Sequence, residues 1–363
     1  MRPLPARRPI RVISALISAL VITGAAWCPS ALAASGTAPS RAGSEVVGGP
    51  EMATTGTITS AGTPAVPRSV TAAGFVVADL DSGAVYAARN PHLHSPPAST
   101  LKTLTALVLL PRLDPGRVLV ADNSDAAVDG TRVGIIPNGK YSIEQLFQAL
   151  LMMSGNDAAE LLARADGSRA QTVADMNAKA RQLRALDTFA GTPSGLDAPG
   201  QMTSPYDLAL INRATMKLPS FRRYVAMRQS TFGAAGGSHF AIQNKNRMYR
   251  DGYPGAIGIK DGFTDAAQHT FIGAATRGGR TYIVSMVRAD RTYGKQAEAL
   301  LDWAFALPAG SKPVGKLVEP DGVDPVRPSA APATGSGRAA TGALGTPARP
   351  GHSGAPWWLV GLA

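Results

Sequence analysis

Apolar positions fall into two clear periods along the middle of the chain. Residues 74–80 (Gly-Phe-Val-Val-Ala-Asp-Leu) form an apolar run, Asp81-Ser82-Gly83 supplies turn chemistry, and residues 84–88 return as a second short apolar run. Together they predict a β-hairpin. Beyond it a loop over 90–97 enters a helix that begins around Ser99. The spacing then predicts short strands over 117–120 and 132–136, and helices over 143–153, 157–165, 169–186 and 204–218. Residues 191–197 read as a loop. Residues 256–260, 270–276 and 281–288 alternate or run apolar as sheet strands do, and residues 293–305 close the pattern with a helix. The result is a mixed chain: a two-strand hairpin, several helices with two short strands before them, three more strands and a closing helix.

The flanks read differently. Residues 1–33 combine a basic start (Arg7, Arg8, Arg11), an apolar run over 12–26 and a small-x-small end at Ala31-Leu32-Ala33. That is the layout of an export signal, and the run is too short and wrongly flanked for a stable membrane span. Residues 34–68 are rich in Gly, Thr, Ser, Ala and Pro and are expected to be a disordered linker. Apolar patterning starts near Ala72, so a catalytic domain is expected over 69–306. Residues 307–356 read as a second Pro/Ala/Gly-rich disordered tail. The apolar stub over 357–363 carries interfacial Trp357 and Trp358; it is far short of a spanning helix, and membrane anchoring by a truncated segment stays open.

Composition narrows the function classes. The 363 residues carry a net charge of +11; removing Arg2, Arg7, Arg8 and Arg11 with the leader takes this to +7. A basic surface suits an anionic envelope. No Lys/Arg run interleaves with aromatics, so no nucleic-acid partner is expected. The single cysteine, Cys28, lies in the leader, which leaves the mature chain without disulfides or cysteine metal sites. The five histidines lack metal-ligand spacing, so no metal is expected; His92 and His94 read as plain loop residues.

Three short motifs carry the candidate chemistry. Ser99 and Lys102 stand three apart at the start of a helix, on one face. The lysine amine can take the serine proton, which a serine nucleophile requires. The helix N-terminus disfavours a protonated lysine and stabilises an oxyanion at Ser99. Ser154 and Asn156 project a hydroxyl and an amide from one turn in Met-Ser-Gly-Asn-Asp-Ala; as an isolated motif this reads first as a helix cap. Lys260 precedes Asp261 and Gly262 on a strand, a fixed cation beside a backbone that a ligand can approach, although a lone strand lysine is commonly a surface residue.

Taken together, in this order, the motifs resemble the active-site serine penicillin-recognising enzymes, and most closely the serine-type D-alanyl-D-alanine carboxypeptidases among the low-molecular-mass penicillin-binding proteins. The resemblance covers roughly residues 72–306. It extends to Pro97-Ala98-Ser99, Gly195-Leu196-Asp197, Asn244-Lys245-Asn246 and Thr264-Asp265-Ala266-Ala267. It implies an α/β (α+β) fold, β-lactamase/transpeptidase-like, with an antiparallel sheet flanked by helices and a helical subdomain. It also implies an exported enzyme of cell-wall metabolism and cell shape, with peptidoglycan stem peptides as substrate, β-lactams as covalent inhibitors, and no cofactor. Ser99 would attack the penultimate D-alanine carbonyl, Lys102 would act as general base, and Ser154 would pass a proton to the leaving amine. Asn156 would hold the substrate backbone, and Lys260 would attract the terminal carboxylate and keep Lys102 neutral. The N–H groups of Ser99 and Phe263 would form the oxyanion hole, with Gly262, Phe263 and Thr264 lining the substrate strand.

One position departs from the family pattern. Where a Thr or Ser is usual, this chain has Asp261, an acceptor-only group that repels a carboxylate unless it turns away, is protonated, or pairs with Lys260. Two alternatives follow. A β-lactamase is disfavoured because no Glu-x-x-Leu-Asn signature separates the second and third motifs. A catalytically weakened peptidoglycan-binding homologue is suggested by Asp261. His269 follows the third motif and reads equally as lining the cleft or as a surface strand end; Arg288 and Arg291 flank Asp290 after the last strand, where a surface ion pair is the default and carboxylate binding the alternative.

Overall fold

The computed structural model describes residues 46–233 and 237–322, all within one unit of the chain that begins at Glu45. The export signal, Cys28, most of the tail and the apolar stub lie outside the described residues.

After a 3₁₀ turn at Pro50–Ala53 come β1 (Thr57–Thr59), β2 (Gly74–Asp79) and β3 (Ala84–Arg89). A 3₁₀ turn at Ala98–Leu101 runs directly into α1 (Lys102–Leu109). The helical part follows: β4 (Val118–Val120), α2 (Asn123–Ala126), β5 (Lys140–Ser142), α3 (Ile143–Gln148), a π-helical turn (Ala149–Met153), α4 (Asn156–Ala165), α5 (Arg169–Gln182), α6 (Pro205–Thr215) and α7 (Pro219–Val225). A hairpin of β6 (Gln229–Gly233) and β7 (His239–Gln243) and the short α8 (Arg247–Arg250) lead back to β8 (Ala256–Thr264), β9 (Gln268–Arg277) and β10 (Arg280–Ala289). The chain then adds α9 (Tyr293–Phe305) and β11 (Gly315–Lys316).

The main sheet is antiparallel throughout, in the order β1-β3-β2-β10-β9-β8, with β11 also on β3. Side chains alternate across it, as the pleat requires. Phe75 and Val77 face α9, packing with Tyr282, Val284, Leu300, Leu301 and Trp303. Val76 and Ala78 face the other way, into the core shared with Leu104 of α1, Leu208 and Ile211 of α6, and Ile283. Every residue of α1 is buried, which suits a helix apolar on nearly all sides. The fold is therefore the expected α+β arrangement, with helices on both faces of an antiparallel sheet.

The hairpin turn has the expected chemistry: Asp79 Oδ1 accepts from the Ser82 N–H at 2.8 Å, and the Gly83 N–H donates to the Asp79 carbonyl at 2.9 Å. Four expectations need correction. Residues 132–136 form no strand. The N–H groups of Val133, Gly134 and Ile135 instead donate to the buried Asp157 carboxylate at 3.0, 2.8 and 3.0 Å, so their donors are already used. Part of the first linker is structured: β1 pairs with β3, Met52 is fully buried, and Trp303 Nε1 donates to the Pro64 carbonyl at 2.8 Å. The first residues of the second linker are structured too: β11 pairs with β3, Leu317 is buried, and Tyr206 donates to the Lys316 carbonyl at 2.6 Å. Edge pairing draws on backbone groups, which composition does not report. Finally, His92 and His94 are not idle loop residues. His92 Nδ1 meets Asp187 at 2.6 Å, its Nε2 meets the Val47 carbonyl at 3.1 Å, and His94 meets Asp187 at 3.1 Å.

Candidate active site

The Ser99–Lys102 motif is set by its backbone. Ser99 lies in the 3₁₀ turn and Lys102 is the first residue of α1. Side chains three apart eclipse in a 3₁₀ turn, which stacks the lysine over the serine. Ala98, just before Ser99, has φ +46°, a strained value for a residue with a Cβ. The turn is held from the sheet by Thr270 Oγ1, which donates to the Pro97 carbonyl at 2.8 Å.

Lys102 Nζ is fully buried and has three oxygen neighbours: Ser99 Oγ at 3.0 Å, Asn156 Oδ1 at 2.6 Å and the Ser194 carbonyl at 2.6 Å. The amide orientation of Asn156 follows from its other end, because Nδ2 donates to the Asp129 carbonyl at 2.7 Å. Burial first, then the Lys260 charge, holds the Lys102 pKa well below the usual lysine value. A neutral amine has two N–H bonds and one lone pair. The Asn156 and Ser194 oxygens can only accept, so they take the two N–H bonds. In that neutral form the remaining lone pair would face Ser99 Oγ.

The second motif sits at a break in the helix. The π-helical turn ends at Ser154, whose φ of +65° is left-handed, and α4 begins at Asn156. Ser154 is buried, but its hydroxyl makes no hydrogen bond to Ser99, Lys102 or Lys260 among the described residues. Asn156 is anchored through its N–H to the Thr131 carbonyl at 2.7 Å, on the same loop that Asp157 clamps. With Oδ1 given to Lys102 and one Nδ2 hydrogen to Asp129, Asn156 keeps one N–H free for a ligand.

The third motif runs along β8, at the sheet edge. Gly262 lies against the nucleophile turn: a Cβ there would stand 2.5 Å from Thr270 Oγ1 and 2.7 Å from the Ser99 backbone nitrogen. Only glycine allows the strand this close. Lys260 is buried, and its Nζ donates to the Asp261 carbonyl at 2.6 Å and to Asp261 Oδ1 at 3.2 Å. Burial lowers the Lys260 pKa, and the Asp261 charge works against that fall. Of the three options for Asp261, the structure has the ion pair. Phe263 is largely exposed beside it, and Thr264 Oγ1 donates to Asp197 Oδ1 at 3.0 Å.

Ser99, Lys102 and Asn156 are thus joined by direct contacts, while Lys260 acts on Lys102 through charge. His269 is half-buried in a ring stack between Phe263 and Tyr293, rather than a surface strand end. Arg288 is exposed, and Asp290 bonds Thr71 and Gln296 instead of either arginine. Sequence reasoning gave no role to Ser194, although the loop it belongs to was visible. Gln201 fixes that loop, accepting from the Thr192 N–H at 3.0 Å and donating to the Leu196 carbonyl at 2.9 Å. Tyr293 also escaped notice; burial, then the Asp261 charge, pushes its pKa up to about 12.

Comparison with known proteins places this geometry in a family. Residues 59–291 match Peptidase_S11, D-alanyl-D-alanine carboxypeptidase. The chain is 45% identical over 240 residues to D-alanyl-D-alanine carboxypeptidase DacB2 of Mycobacterium tuberculosis, covering 64% of this chain and 82% of that protein. It is 27% identical over 239 residues to D-alanyl-D-alanine carboxypeptidase DacF of Bacillus subtilis, covering 64% of this chain but 61% of the relative's length. A crystal structure of D-alanyl-D-alanine carboxypeptidase from M. tuberculosis H37Rv superposes with a TM-score of 0.68 at 43% identity, covering 71% of this chain and 99% of the other. The fold, the buried Ser99–Lys102 pair and these matches agree: the chain belongs to the Peptidase_S11 family of serine D-alanyl-D-alanine carboxypeptidases.

Proposed function

We propose that this protein is an exported carboxypeptidase that removes the terminal D-alanine from peptidoglycan stem peptides through an acyl-enzyme on Ser99. The observation that carries the reading is the buried Lys102 amine, its pKa lowered first by burial and then by the Lys260 charge, set 3.0 Å from Ser99 Oγ and held by the Asn156 and Ser194 oxygens. Lys102 takes the Ser99 proton as Oγ attacks the carbonyl of the penultimate D-alanine. Ser154 carries a proton to the leaving amine, and free D-alanine departs. Water then attacks the ester, releasing the shortened peptide and returning the proton to Ser99. The N–H groups of Ser99 and Phe263 stabilise the oxyanion; Gly262 keeps their strand and turn in register. Lys260 draws in the terminal carboxylate beside Thr264, and the Asp261 pair weakens that attraction. A β-lactam acylates Ser99 by the same route and is released slowly. The catalytic unit is a single domain around residues 69–306 extended by its paired flanks. Export rests on the leader sequence; no helix among the described residues is long and apolar enough to cross a membrane.

The test is intact mass after incubation with benzylpenicillin, for wild type and Ser99→Ala, alongside D-alanine release from a tripeptide. A persistent adduct that disappears with Ser99, together with D-alanine release, supports the reading. An adduct without D-alanine release would favour the weakened binding homologue that Asp261 suggests. Consumption of penicillin without an adduct would favour a β-lactamase.

A further inference from the structure

Apart from the Ser99 machinery, His92, Asp187 and Asp207 each offer one ligating atom, and these atoms lie within 4.8 Å of one another. They come from the loop before the Ser99 turn, from the segment after α5 and from α6. No sequence spacing announces ligands so widely separated. The group is largely screened from water: Asp207 is buried, and the His92 and Asp187 side chains are 25% and 19% exposed.

Each of the three is held by its other polar atom. His92 Nε2 meets the Val47 carbonyl at 3.1 Å; a carbonyl only accepts, so Nε2 carries a hydrogen. Asp187 Oδ1 meets His94 Nε2 at 3.1 Å, and Asp207 Oδ2 accepts from Thr188 Oγ1 at 2.7 Å. The remaining atoms are the reverse case. In a neutral ring that tautomer leaves Nδ1 as a bare lone pair, yet Nδ1 stands 2.6 Å from Asp187 Oδ2. Two acceptors that close need a metal ion or a proton between them. Asp207 Oδ1 is buried with no hydrogen-bond partner among the described residues, a costly state for a carboxylate oxygen. An imidazole whose far N–H is given to a backbone carbonyl, beside carboxylates fixed through their second oxygens, is how proteins orient metal ligands. In the metal-free chain protons serve instead. The Asp187 bond and charge hold one on His92 against the effect of burial, and burial followed by the Asp187 charge holds one on Asp207.

We propose that His92 Nδ1 and the carboxylates of Asp187 and Asp207 bind a zinc ion, with water in the fourth position. One imidazole nitrogen with two carboxylates suits zinc better than calcium or magnesium, which take oxygen ligands. Four ligands at ~2.0 Å from a zinc stand roughly 3.3 Å apart, so binding opens the contact between His92 and Asp187. The ion ties the Val47 segment, the loop before Ser99 and α6 to one another, and its role is to stabilise. The site goes beyond the carboxypeptidase reading and does not depend on it.

The experiment is equilibrium dialysis of the chelator-stripped full chain against ZnCl2, with bound metal counted by elemental analysis. Cys28→Ser is carried throughout, so that the one thiol cannot bind. Wild type should hold one zinc per chain, and zinc at about 100 times Kd should raise the melting temperature by about 5 °C. Asp207→Asn and His92→Gln should each weaken binding by about tenfold or more. His239→Gln, an exposed histidine outside the group, should not. Near-UV circular dichroism without metal shows whether each variant is folded. CoCl2 on wild type gives a reading that needs no variant: a four-coordinate cobalt site has intense visible bands, and a six-coordinate ion on surface carboxylates has weak ones. No zinc on wild type, zinc binding that survives both substitutions, or only the weak cobalt spectrum overturns the proposal. Each of these leaves the Ser99 reading intact, because penicillin adduct formation is measured separately.

Discussion

Lys102 Nζ lies 3.0 Å from Ser99 Oγ, and the Lys260 ammonium is among the charges that hold its proton affinity down. Burial is the larger cause and Lys260 the next. This gives a signed prediction. A base with a depressed pKa stays neutral at lower pH, so acylation should fall only when pH drops through that depressed value. Lys260→Gln removes a neighbouring positive charge, makes Lys102 easier to protonate, and should move the acid limb of the rate profile to higher pH. The second-order rate of benzylpenicillin acylation, followed by intact mass across pH, measures this directly. An unmoved limb would show that Lys260 does not tune the base.

Asn156 offers a second test of the same base. Its Oδ1 accepts from Lys102 at 2.6 Å in a buried setting. In Asn156→Asp a carboxylate would take that place and stabilise the ammonium form. Acylation at neutral pH should fall by about ten- to a thousandfold, within the range that general-base catalysis contributes. It should recover as pH rises. Asn156→Ala should also be slow, but without that recovery.

Much of this arrangement could be read in the chain, for physical reasons that differ by element. The strands β2, β3, β9 and β10 and the helix Tyr293–Phe305 were visible because a buried face imposes a strong period. The Ser99–Lys102 contact was visible because a three-residue separation is local geometry. Contacts made by backbone over long separations were not. The Ser194 carbonyl reaches Lys102 across 92 positions, and nothing in the residue type at 194 announces it. The hairpin of β6 and β7 escaped because its positions are mostly exposed. The strand expected over 132–136 failed because a single distant carboxylate, Asp157, takes three of its N–H groups. Asp261 was visible as a departure, but its direction was not; only the fold brings Lys260 Nζ to 3.2 Å from its oxygen.

Gly262 tests how closely β8 must approach the nucleophile. An added Cβ would meet Thr270 Oγ1 at 2.5 Å, the Ser99 nitrogen at 2.7 Å and Ala98 Cβ at 3.0 Å. One of those neighbours is main chain, so the strand or the turn must move. A shift near 1 Å in a reacting geometry costs on the order of 100-fold in rate. Gly262→Ala should therefore lose about that factor in penicillin acylation. Its stability should drop by only about 1–3 kcal/mol, as overpacking does. Denaturant unfolding and acylation kinetics on the same sample separate the two effects.

The His92–Asp187 pair and the buried Asp207 close to it predict how stability depends on pH. Burial pulls the His92 pKa down, but the hydrogen bond and charge of Asp187 more than offset this, and the net shift is upward. Burial, then the Asp187 charge, raises Asp207 to about 7. Both groups hold their protons more tightly in the folded chain than in the unfolded one. Their contribution is present in full below the unfolded pKa and is lost as pH rises through the folded value. Asp207 then weakens the fold between about pH 4 and 7, and His92 does so above about 6.5. The melting temperature should fall as pH rises through these ranges. Asp207→Asn should flatten the lower range and His92→Gln the upper one. A melting temperature that rises over the same interval would contradict the assignment.

Asp261 sets the final prediction. Its carboxylate pairs with the lysine that a substrate carboxylate would seek, and its side chain is 27% exposed. Two like charges 4 Å apart repel by ~4 kcal/mol at an effective dielectric of 20. The Lys260 pairing screens part of this, but a third of it, about 1.4 kcal/mol, is already tenfold in rate. Asp261→Thr removes the charge and supplies a hydroxyl donor, so kcat/KM for D-alanine release should rise by about tenfold or more. Asp261→Asn removes the charge while keeping the shape, and should give part of the gain. Acylation by an uncharged ester substrate, which carries no carboxylate, should change far less, which isolates carboxylate recognition from general activation. If the threonine variant releases D-alanine no faster than wild type, the Lys260–Asp261 pair is not a brake, and the carboxylate must be read by groups other than this pair.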